Sequence, residues 1–337
     1  MILVTGGTGL VGAHLLAYLA KTESQIKAIY RTKDKLKTVE KVFGYYFDEV
    51  STFFEKIDWH EADVIDIPSL EAVFPEVTQV YHVAAMISFD PKDFDALRKT
   101  NIEGTANIVN LCIARGVQKL CFVSSIAAIG ENEDVTIPIT EETHWNPEAD
   151  NNVYAISKYG SEMEVWRGSQ EGLDVVIVNP GIILGAGFWR GGGSGSLFRK
   201  IDKGLDYYTQ GILAYVDVQD VVSAMIQLME SDITNERFVL VGENWTLEKF
   251  SKITAKTLGV KPPQKEAGAF LLGMAWRLDW WRQLFTGKRR RLTRLTAKSI
   301  QSKTVYDSSK LQQALHFSFT PLEETIERVS KRYRKEH

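Results

Sequence analysis

Short apolar runs alternate with amphipathic helical segments along the first 178 residues of the chain. Six of these runs have the length and β-branched composition of buried strands, and segments with helical spacing of their apolar residues separate them. Such alternation is typical of a parallel sheet covered by helices on both faces. The strands are predicted at residues 2–4, 26–30, 57–61, 80–83, 119–123 and 175–178.

The pattern changes after Pro180 and divides the chain into two predicted lobes. We predict an α/β fold in which residues 1–180 form a doubly wound parallel sheet of the Rossmann type, and residues 181–337 a smaller, mostly helical lobe. Residues 214–241 have the pattern of a buried strand and helix that return to the first lobe. The aromatic insertion at 43–54 predicts an extra helix on the sheet, and the six glycines of 185–195 predict a mobile loop.

The first strand runs directly into Gly6, Gly9 and Gly12 and then into a helix. A strand that ends at glycines before a helix leaves free backbone N–H groups at the positive end of the helix dipole, which suits a pyrophosphate. Gly6 would allow the tight turn, Gly9 the approach of a phosphate and Gly12 close packing of the helix. The pattern favours dinucleotide binding, with Gly-x-x-Gly-x-x-Gly spacing.

The end of the second strand indicates which nicotinamide cofactor is bound. NAD-selective sites carry an Asp or Glu there, where it bonds the ribose 2′-hydroxyl. This chain has Arg31, whose guanidinium can pair with a 2′-phosphate, and Lys35 lies close enough in sequence to help. The sequence therefore favours NADP(H) over NAD(H); the alternative is that both cations are solvated surface residues.

Tyr154 and Lys158 are one helical turn apart, so both side chains would lie on one face of a helix that begins near Val153. A phenol with a pKa near 10 exchanges protons poorly at neutral pH unless a neighbouring cation stabilises its anion. Ser124 and Ser125 end the fifth strand, at the sheet edge where α/β folds place their ligands. A serine there can hydrogen-bond a substrate oxygen or simply cap a turn.

Together these residues resemble the extended branch of the short-chain dehydrogenase/reductase superfamily, in which the epimerase/dehydratase family falls. The resemblance covers nearly the whole chain and includes VYHVAA (80–85), TNIEGTAN (100–107), NPGIILG (179–185), YVDVQDV (215–221) and TPLEE (320–324). It implies that residues 1–180 bind NAD(P) and residues 181–337 bind the substrate. It also implies that Tyr154 is the acid/base, that Lys158 lowers its pKa and that Ser125, five residues before Gly130, orients the carbonyl.

The same resemblance extends the predicted site. It makes Asn101 the residue that bends a helix and positions a water, although a helix cap or core hydrogen bond would also explain an asparagine there. It places Asp63 and Val64 beside the adenine and small residues at the adenosine ribose. The remaining cofactor residues that it implies are Thr8, Leu10, Val11, Ala84, Ala85, Pro180, Ile182 and Ile183.

The branch includes carbonyl reductases, hydroxysteroid dehydrogenases, nucleotide-sugar epimerases and dehydratases, and the fold does not choose among them. Ser125 is followed by Ile126 and two alanines, where dehydratases of the branch usually carry an Asp-Glu pair. VSSIAAIG (123–130), Arg31 and FTGKRRRLT (285–293) look most like the dihydroflavonol 4-reductase group. We therefore expect NADPH-dependent reduction of a small ketone or aldehyde. The alternatives are an NAD-dependent nucleotide-sugar epimerase and, from another class, a non-catalytic NADP(H)-sensing regulatory protein.

The 337 residues carry a net charge of −3, which does not indicate nucleic-acid binding. Two cysteines, Cys112 and Cys121, provide no disulfide framework, and the histidines show no metal-ligand spacing, so we expect no metal and a reducing cytoplasm. The first strand leaves no room for a signal peptide, and no apolar stretch is long enough to predict a membrane span. We expect a monomer or homodimer.

The Trp-rich segment 270–285, followed by the basic run 288–291, is the part that the resemblance explains least. Phe270, Met274, Leu278, Trp281 and Phe285 fall on one helical stripe, and Leu272, Trp276, Trp280 and Leu284 on a second. A helix packed within the substrate lobe is the preferred interpretation. The segment could instead line an apolar pocket, form a dimer surface or lie on a membrane, and membrane attachment is the interpretation we favour least.

Overall fold

A seven-stranded, entirely parallel sheet organises the first lobe, with strand order β10-β6-β5-β4-β1-β2-β3 in the computed structural model. The structure describes residues 1–23, 25–132, 134, 136–189, 193–287, 290 and 292–337. The strands are β1 Ile2–Thr5, β2 Ile26–Tyr30, β3 Ile57–Glu61, β4 Gln79–His82, β5 Lys119–Val123, β6 Asp174–Pro180, β7 Ile182–Leu184, β8 Tyr207–Tyr208, β9 Ile212–Asp217, β10 Glu236–Leu240, β11 Glu243–Thr246 and β12 Lys265–Glu266.

Helices cover both faces of this sheet, because successive residues of each strand point to opposite sides and both sides are apolar. One face packs against α1, α2 and α9, and the other against α4, α6 and α7. The helices are α1 Leu10–Thr22, α2 Leu36–Phe43, α3 Val50–Phe54, α4 Ile67–Val73, α5 Phe94–Leu97, α6 Gly104–Arg115, α7 Val153–Gln170, α8 Gly195–Asp202, α9 Val218–Glu230, α10 Leu247–Leu258, α11 Ala269–Thr286, α12 Arg294–Ser299, α13 Ser309–Leu315 and α14 Leu322–Glu336.

The predicted doubly wound parallel sheet is confirmed, and all six predicted strands are present. The seventh, β10, was not predicted; it pairs with β6 at the edge of the sheet. The aromatic insertion begins at the last residue of the eight-residue α2 and contains the five-residue α3, and its rings pack against the α1 face of the sheet. Cys112 and Cys121 are buried and unpaired.

The second lobe is built around a three-stranded sheet, β11-β9-β7, and the helices α8, α10 and α14. The segment predicted to return to the first lobe is divided between the two: β9 pairs with β7 and β11 in the small sheet, whereas α9 packs against α1 and β10 joins the large sheet. Within the glycine-rich loop, residues 190–192 lie outside the described part of the chain.

A buried histidine connects the centre of the large sheet to the helix layer. His82, at the end of β4, is hydrogen-bonded through Nδ1 to Thr5 Oγ1 (2.7 Å) and through Nε2 to Thr105 Oγ1 (3.0 Å). Burial lowers the pKa of His82 to about 3, with a smaller effect of the Lys158 charge in the same direction. Its neutral ring therefore holds β1, β4 and α6 together at the edge where the strands end.

Candidate active site

A cavity of about 810 Å³ lies at the carboxyl ends of the parallel strands, between the two lobes. The strand order reverses between β1 and β4, and open α/β sheets bind their ligands in the crevice that this reversal creates. Residues that follow β1, β2, β3, β4, β5 and β6 all line the cavity. The opposite wall comes from the second lobe, including Leu213 and Leu295.

The glycine turn at the base of the cavity has the geometry of a phosphate cradle. Gly6 has a φ of +68°, and a Cβ atom there would lie 2.6 Å from the backbone nitrogen of Ala84. A Cβ at Gly12 would lie 2.2 Å from the Gly6 carbonyl oxygen, so this glycine lets the helix approach the turn itself. At Gly9 the nearest atom to such a Cβ is 3.4 Å away, and no side chain caps α1. The free N–H groups of α1 are thus available to a pyrophosphate, and the cradle fits a dinucleotide.

Most of the residues predicted to bind the cofactor are brought together by the fold. Tyr154 and Lys158, which the resemblance assigns to both catalysis and cofactor binding, line the cavity together with Ser125. Gly12 and Asn101 do not line it. The other predicted cofactor residues that line the cavity are Gly6, Thr8, Gly9, Leu10, Val11, Arg31, Lys35, Asp63, Val64, Ala84, Ala85, Pro180, Ile182 and Ile183.

The surroundings of Arg31 differ from the prediction in one respect. No carboxylate directly follows the second strand in the sequence, but β3 ends beside it and places Asp63 near Arg31. Asp63 Oδ2 lies 3.7 Å from Arg31 Nη1, and the Arg31 side chain is 57% exposed. An ion pair as exposed as this is weak. The guanidinium therefore remains accessible to an anion, but a carboxylate competes for it.

Lys158 is fully buried beneath the cavity on α7, whose N-terminus is capped by the Asn152 side chain accepting a hydrogen bond from Ala155 N. Lys158 Nζ donates to the carbonyl oxygen of Val123 (2.8 Å) and lies over the ring of Phe122. Burial lowers the pKa of Lys158 to about 7, against the opposing effect of the Glu162 carboxylate. Its ammonium charge is thus sensitive to what occupies the cavity near neutral pH.

Tyr154, one turn earlier on α7, presents its hydroxyl group to the cavity beside Ser125. Its surroundings raise the pKa of Tyr154 to about 12, mainly by desolvation, whereas Ser125 acts in the opposite direction. The lowered pKa that the resemblance attributes to Lys158 is therefore not found in this structure, where Lys158 Nζ is hydrogen-bonded to the carbonyl oxygen of Val123. The phenol is therefore protonated at neutral pH and can serve as a proton donor. The adjacent Ser124 is turned away: its Oγ donates to the buried Glu162 Oε2 (2.6 Å). This arrangement favours Ser125 over Ser124 as the residue that meets a substrate.

Behind the cavity, a buried carboxylate holds the strand ends in place, and the sequence analysis did not anticipate it. Glu162 accepts hydrogen bonds from Ser124 Oγ, from Asn179 Nδ2 (2.9 Å) and from Arg237 Nη1 (3.0 Å). Asn179 Nδ2 also donates to the carbonyl oxygen of Ser125 (3.0 Å). Glu162 lies four residues after Lys158 on α7. Trp166 Nε1, four residues further along α7, also donates to Glu162 (3.4 Å), so these two spacings were the local signals, whereas the other partners come from the end of β5, from β6 and from β10.

Asn101 is buried in the protein interior and does not line the cavity. It lies in a π-helical turn, Arg98–Glu103, and its side chain is almost completely buried. Its Oδ1 accepts from Met86 N (2.7 Å), and its Nδ2 donates to Met86 O (3.0 Å) and Ser157 Oγ (3.0 Å). The helix irregularity is present, as the resemblance implied. The contacts correspond to the alternative of a core hydrogen bond, and the water-positioning role stays a prediction.

An apolar wall beside Tyr154 was also missed by the sequence analysis. Phe89 packs edge-on against the Tyr154 ring at 5.4 Å, and Ile87 lines the same side. Both are exposed by about half in a loop that follows β4. Residues 83–90 are mostly apolar, so these two side chains did not stand out from their neighbours in the sequence. Leu213 and Tyr306 extend the wall from the second lobe.

Comparison with known proteins identifies the family to which the chain belongs. The sequence model of the NAD dependent epimerase/dehydratase family matches residues 2–242. The chain belongs to this family. It is therefore an NAD(P)-dependent oxidoreductase of the extended short-chain dehydrogenase/reductase type, and the resemblance drawn from the sequence motifs is confirmed.

The relatives of this protein include both reductases and epimerases. A Synechocystis sp. protein with the provisional name dihydroflavonol 4-reductase is 29% identical over 280 residues, which cover 81% of this chain and 77% of the relative. Cinnamoyl-CoA reductase 1 of Oryza sativa subsp. japonica is 26% identical over 72% of this chain and 71% of its own. UDP-glucose 4-epimerase of Vibrio cholerae is 26% identical over 78% and 76%.

Solved structures agree on the fold. The crystal structure of gox2253 superposes with a TM-score of 0.81 at 25% identity and covers 100% of this chain and 98% of that one. UDP-glucose 4-epimerase of Thermotoga maritima, with UDP-glucose, gives a TM-score of 0.78 at 22% identity over 99% of both chains. Among the residues that the structure describes, no helix is long and apolar enough to cross a membrane.

Proposed function

We propose that the protein reduces a ketone or aldehyde with NADPH. The observation that carries this proposal is the arrangement of Tyr154 and Ser125, which line the cavity together, above the buried Lys158. A protonated phenol beside a hydroxyl group is suited to a carbonyl oxygen that gains a proton during reduction. The reductases among the relatives support the same choice.

The proposed mechanism assigns each residue one task. Ser125 hydrogen-bonds the carbonyl oxygen and holds it next to the Tyr154 hydroxyl group. When bound, NADPH would supply the chemistry of hydride donation to the carbonyl carbon. Tyr154 gives its proton to the oxygen as negative charge develops there, and Lys158 stabilises the phenolate that Tyr154 becomes. Because burial lowers the pKa of Lys158 to about 7, a full charge on Lys158 depends on the phenolate or another anion nearby.

NADPH is proposed over NADH because of Arg31 and Lys35, which line the cavity at the end of β2. A charge-assisted fork from Arg31 would hold a 2′-phosphate and gain little from a ribose hydroxyl. Asp63 opposes this preference, since it neutralises part of the Arg31 charge at 3.7 Å. We expect a clear but moderate preference for NADPH, on the order of tenfold in kcat/KM.

A nucleotide-sugar epimerase is the second candidate, because UDP-glucose 4-epimerases are among the relatives and structural neighbours. It would use the same Tyr154 and Lys158 with tightly held NAD. A regulatory protein that senses NADP(H) without turnover is the third, and the presence of both residues in the cavity argues against it. A cytoplasmic location and a monomeric or homodimeric state stay predictions.

The proposal is tested with purified protein, NADPH or NADH and a panel of ketones and aldehydes, by following the loss of nicotinamide absorbance. We expect carbonyl-dependent oxidation that is faster with NADPH, and Arg31→Ala should reduce this preference while Lys33→Ala, an exposed cation of the same segment, leaves it unchanged. Bound NAD that copurifies, with no oxidation of added NADPH, would support the epimerase. Binding of NADPH without oxidation across the panel would support the sensor.

A further inference from the structure

One face of α11 carries an exposed cluster of large apolar side chains. The structure contradicts the expectation that this helix is packed mainly within its lobe, because Phe270 and Phe285, at its two ends, are 80% and 79% exposed. Fifteen large apolar side chains are exposed in the described residues, and seven belong to this helix. We call these seven the α11 face: Phe270, Met274, Leu278, Trp280, Trp281, Leu284 and Phe285.

The other side of α11 fixes the helix to the protein, so the exposure is not that of a frayed end. Leu272 is buried in a small core with Ala267 and Ala297, and Trp276 packs against the same core. Gln283 is buried and accepts a hydrogen bond from Arg290 Nε (2.7 Å). A helix anchored on one side, with aromatic residues exposed on the other, presents a surface for a partner.

The charge around the α11 face identifies the kind of partner. Residues 267–306 contain nine Lys or Arg and one carboxylate, a net charge of +8, in a chain whose total is −3. The remainder of the chain therefore carries −11. The one carboxylate, Asp279, pairs with Arg282 and accepts from Leu292 N (3.0 Å), and Lys298 pairs with Asp150 of the first lobe (3.2 Å), so these two of the nine cations are partly neutralised. Four of the cations are the basic run 288–291, of which only Arg290 belongs to the described residues.

We propose that the α11 face docks on an anionic lipid surface, with the helix lying in the plane of the membrane interface. A helix with exposed Phe, Leu and Trp side chains gains free energy by burying them at the acyl boundary, and tryptophan favours that depth. Clustered cations add attraction to anionic headgroups. A second copy of the chain is a poorer occupant, because a two-fold contact would bring two segments of charge +8 together.

The helix that carries the proposed docking face is connected to one wall of the cavity through the chain that follows it. The segment that follows α11 forms α12, and Leu295, Lys298 and Ser299 of α12 line the cavity. The docking proposal does not depend on the reaction proposed above, since it rests on exposure and charge alone. Binding to lipid can therefore be measured on the full-length protein without any substrate.

The experiment is co-sedimentation of the full-length protein with vesicles of phosphatidylcholine alone or mixed with phosphatidylglycerol. We expect binding to the mixed vesicles that weakens as salt is added. The triple variant Phe270→Ser, Leu278→Ser and Phe285→Ser should lower the partition coefficient at least about tenfold, because each serine removes apolar area from the interface. The control is Ile67→Ser, an apolar residue at the start of α4 that is 47% exposed, and it should bind as the unmodified protein does.

Three outcomes would overturn the proposal. The unmodified protein could stay in the supernatant with the mixed vesicles at low salt, or the triple variant could sediment as strongly as the control. The third outcome is a dimer in light scattering that becomes a monomer in the triple variant without any vesicle binding, which would make a second copy the occupant of the face. All substituted residues of the face are exposed, so the variant is expected to fold.

Discussion

Removing Arg237 should destabilise the protein strongly, because its guanidinium is the cation that faces the buried Glu162 carboxylate. Glu162 is completely buried, and Arg237 Nη1 donates to its Oε1 at 3.0 Å. Arg237 Nε also donates to the carbonyl oxygen of Glu141 at 3.0 Å. In Arg237→Met the carboxylate keeps the hydrogen bonds from Ser124 and Asn179 but loses the cation that is hydrogen-bonded to it.

The magnitude follows from the loss of one partner of a buried ion pair, which costs about 3 to 5 kcal/mol. An unfolding entropy of about 2.1 cal/mol/K per residue gives about 0.7 kcal/mol/K for a chain of this length, so the melting temperature should fall by about 4 to 7 °C. The same network supports the Ser125 backbone through Asn179. We therefore also expect weaker catalysis in the folded fraction of the variant.

The assay is urea and thermal unfolding of the protein, Arg237→Met, Glu162→Gln and the double variant, combined as a double-mutant cycle. The matched control is Arg167→Met, which breaks an exposed ion pair with Glu164 and Glu171 on the same helix and should cost less than about 1 kcal/mol. If Arg237→Met costs no more than the control, or if the cycle shows no coupling with Glu162, the network does not stabilise the fold.

Three further predictions concern other parts of the structure. Gly12→Ala should weaken NADPH binding by fluorescence titration at least about tenfold, since its Cβ would lie 2.2 Å from the Gly6 oxygen, whereas Gly268→Ala, with open space around it, should not. Because burial lowers the pKa of His82 to about 3, the folded ring stays neutral while the unfolded ring gains a proton as the pH falls below 6.5, and stability is lost. In acid unfolding titrations of His82→Gln, the free energy of unfolding should therefore fall less steeply with decreasing pH, by up to about 1.4 kcal/mol per pH unit. Asn101→Ala should lower the free energy of unfolding by about 2 to 3 kcal/mol, because it leaves buried groups unpaired; a loss of turnover without a loss of stability would instead favour the water-positioning role.

The strands of the first lobe could be predicted because their signal is local. A buried parallel strand is a short, continuous apolar run, and β2, β3 and β5 have the predicted ends. The seventh strand, Glu236–Leu240, was missed because it follows the change of pattern at Pro180, and nothing in its own residues shows that it pairs with β6. Long-range pairing of this kind depends on the path of the chain between the lobes.

The candidate site was predictable where motif and strand end coincide, and not where side chains meet from distant elements. Tyr154, Lys158 and Ser125 reach one cavity because one helix and one strand end carry them. The pairing of Arg31 with Asp63 joins the ends of two neighbouring strands, and strand order is needed to see it. In α11 the spacing predicted two apolar stripes, but periodicity does not tell which stripe faces the protein.

The measurement that tests the proposed function most directly is the activity of Tyr154→Phe with a carbonyl compound that the unmodified protein reduces. The variant lacks only the hydroxyl group, so NADPH binding should be unchanged while kcat falls by about 10² to 10⁴. Loss of NADPH binding in parallel would show that the side chain supports the cofactor site instead of donating a proton. Turnover equal to that of the unmodified protein would contradict the account.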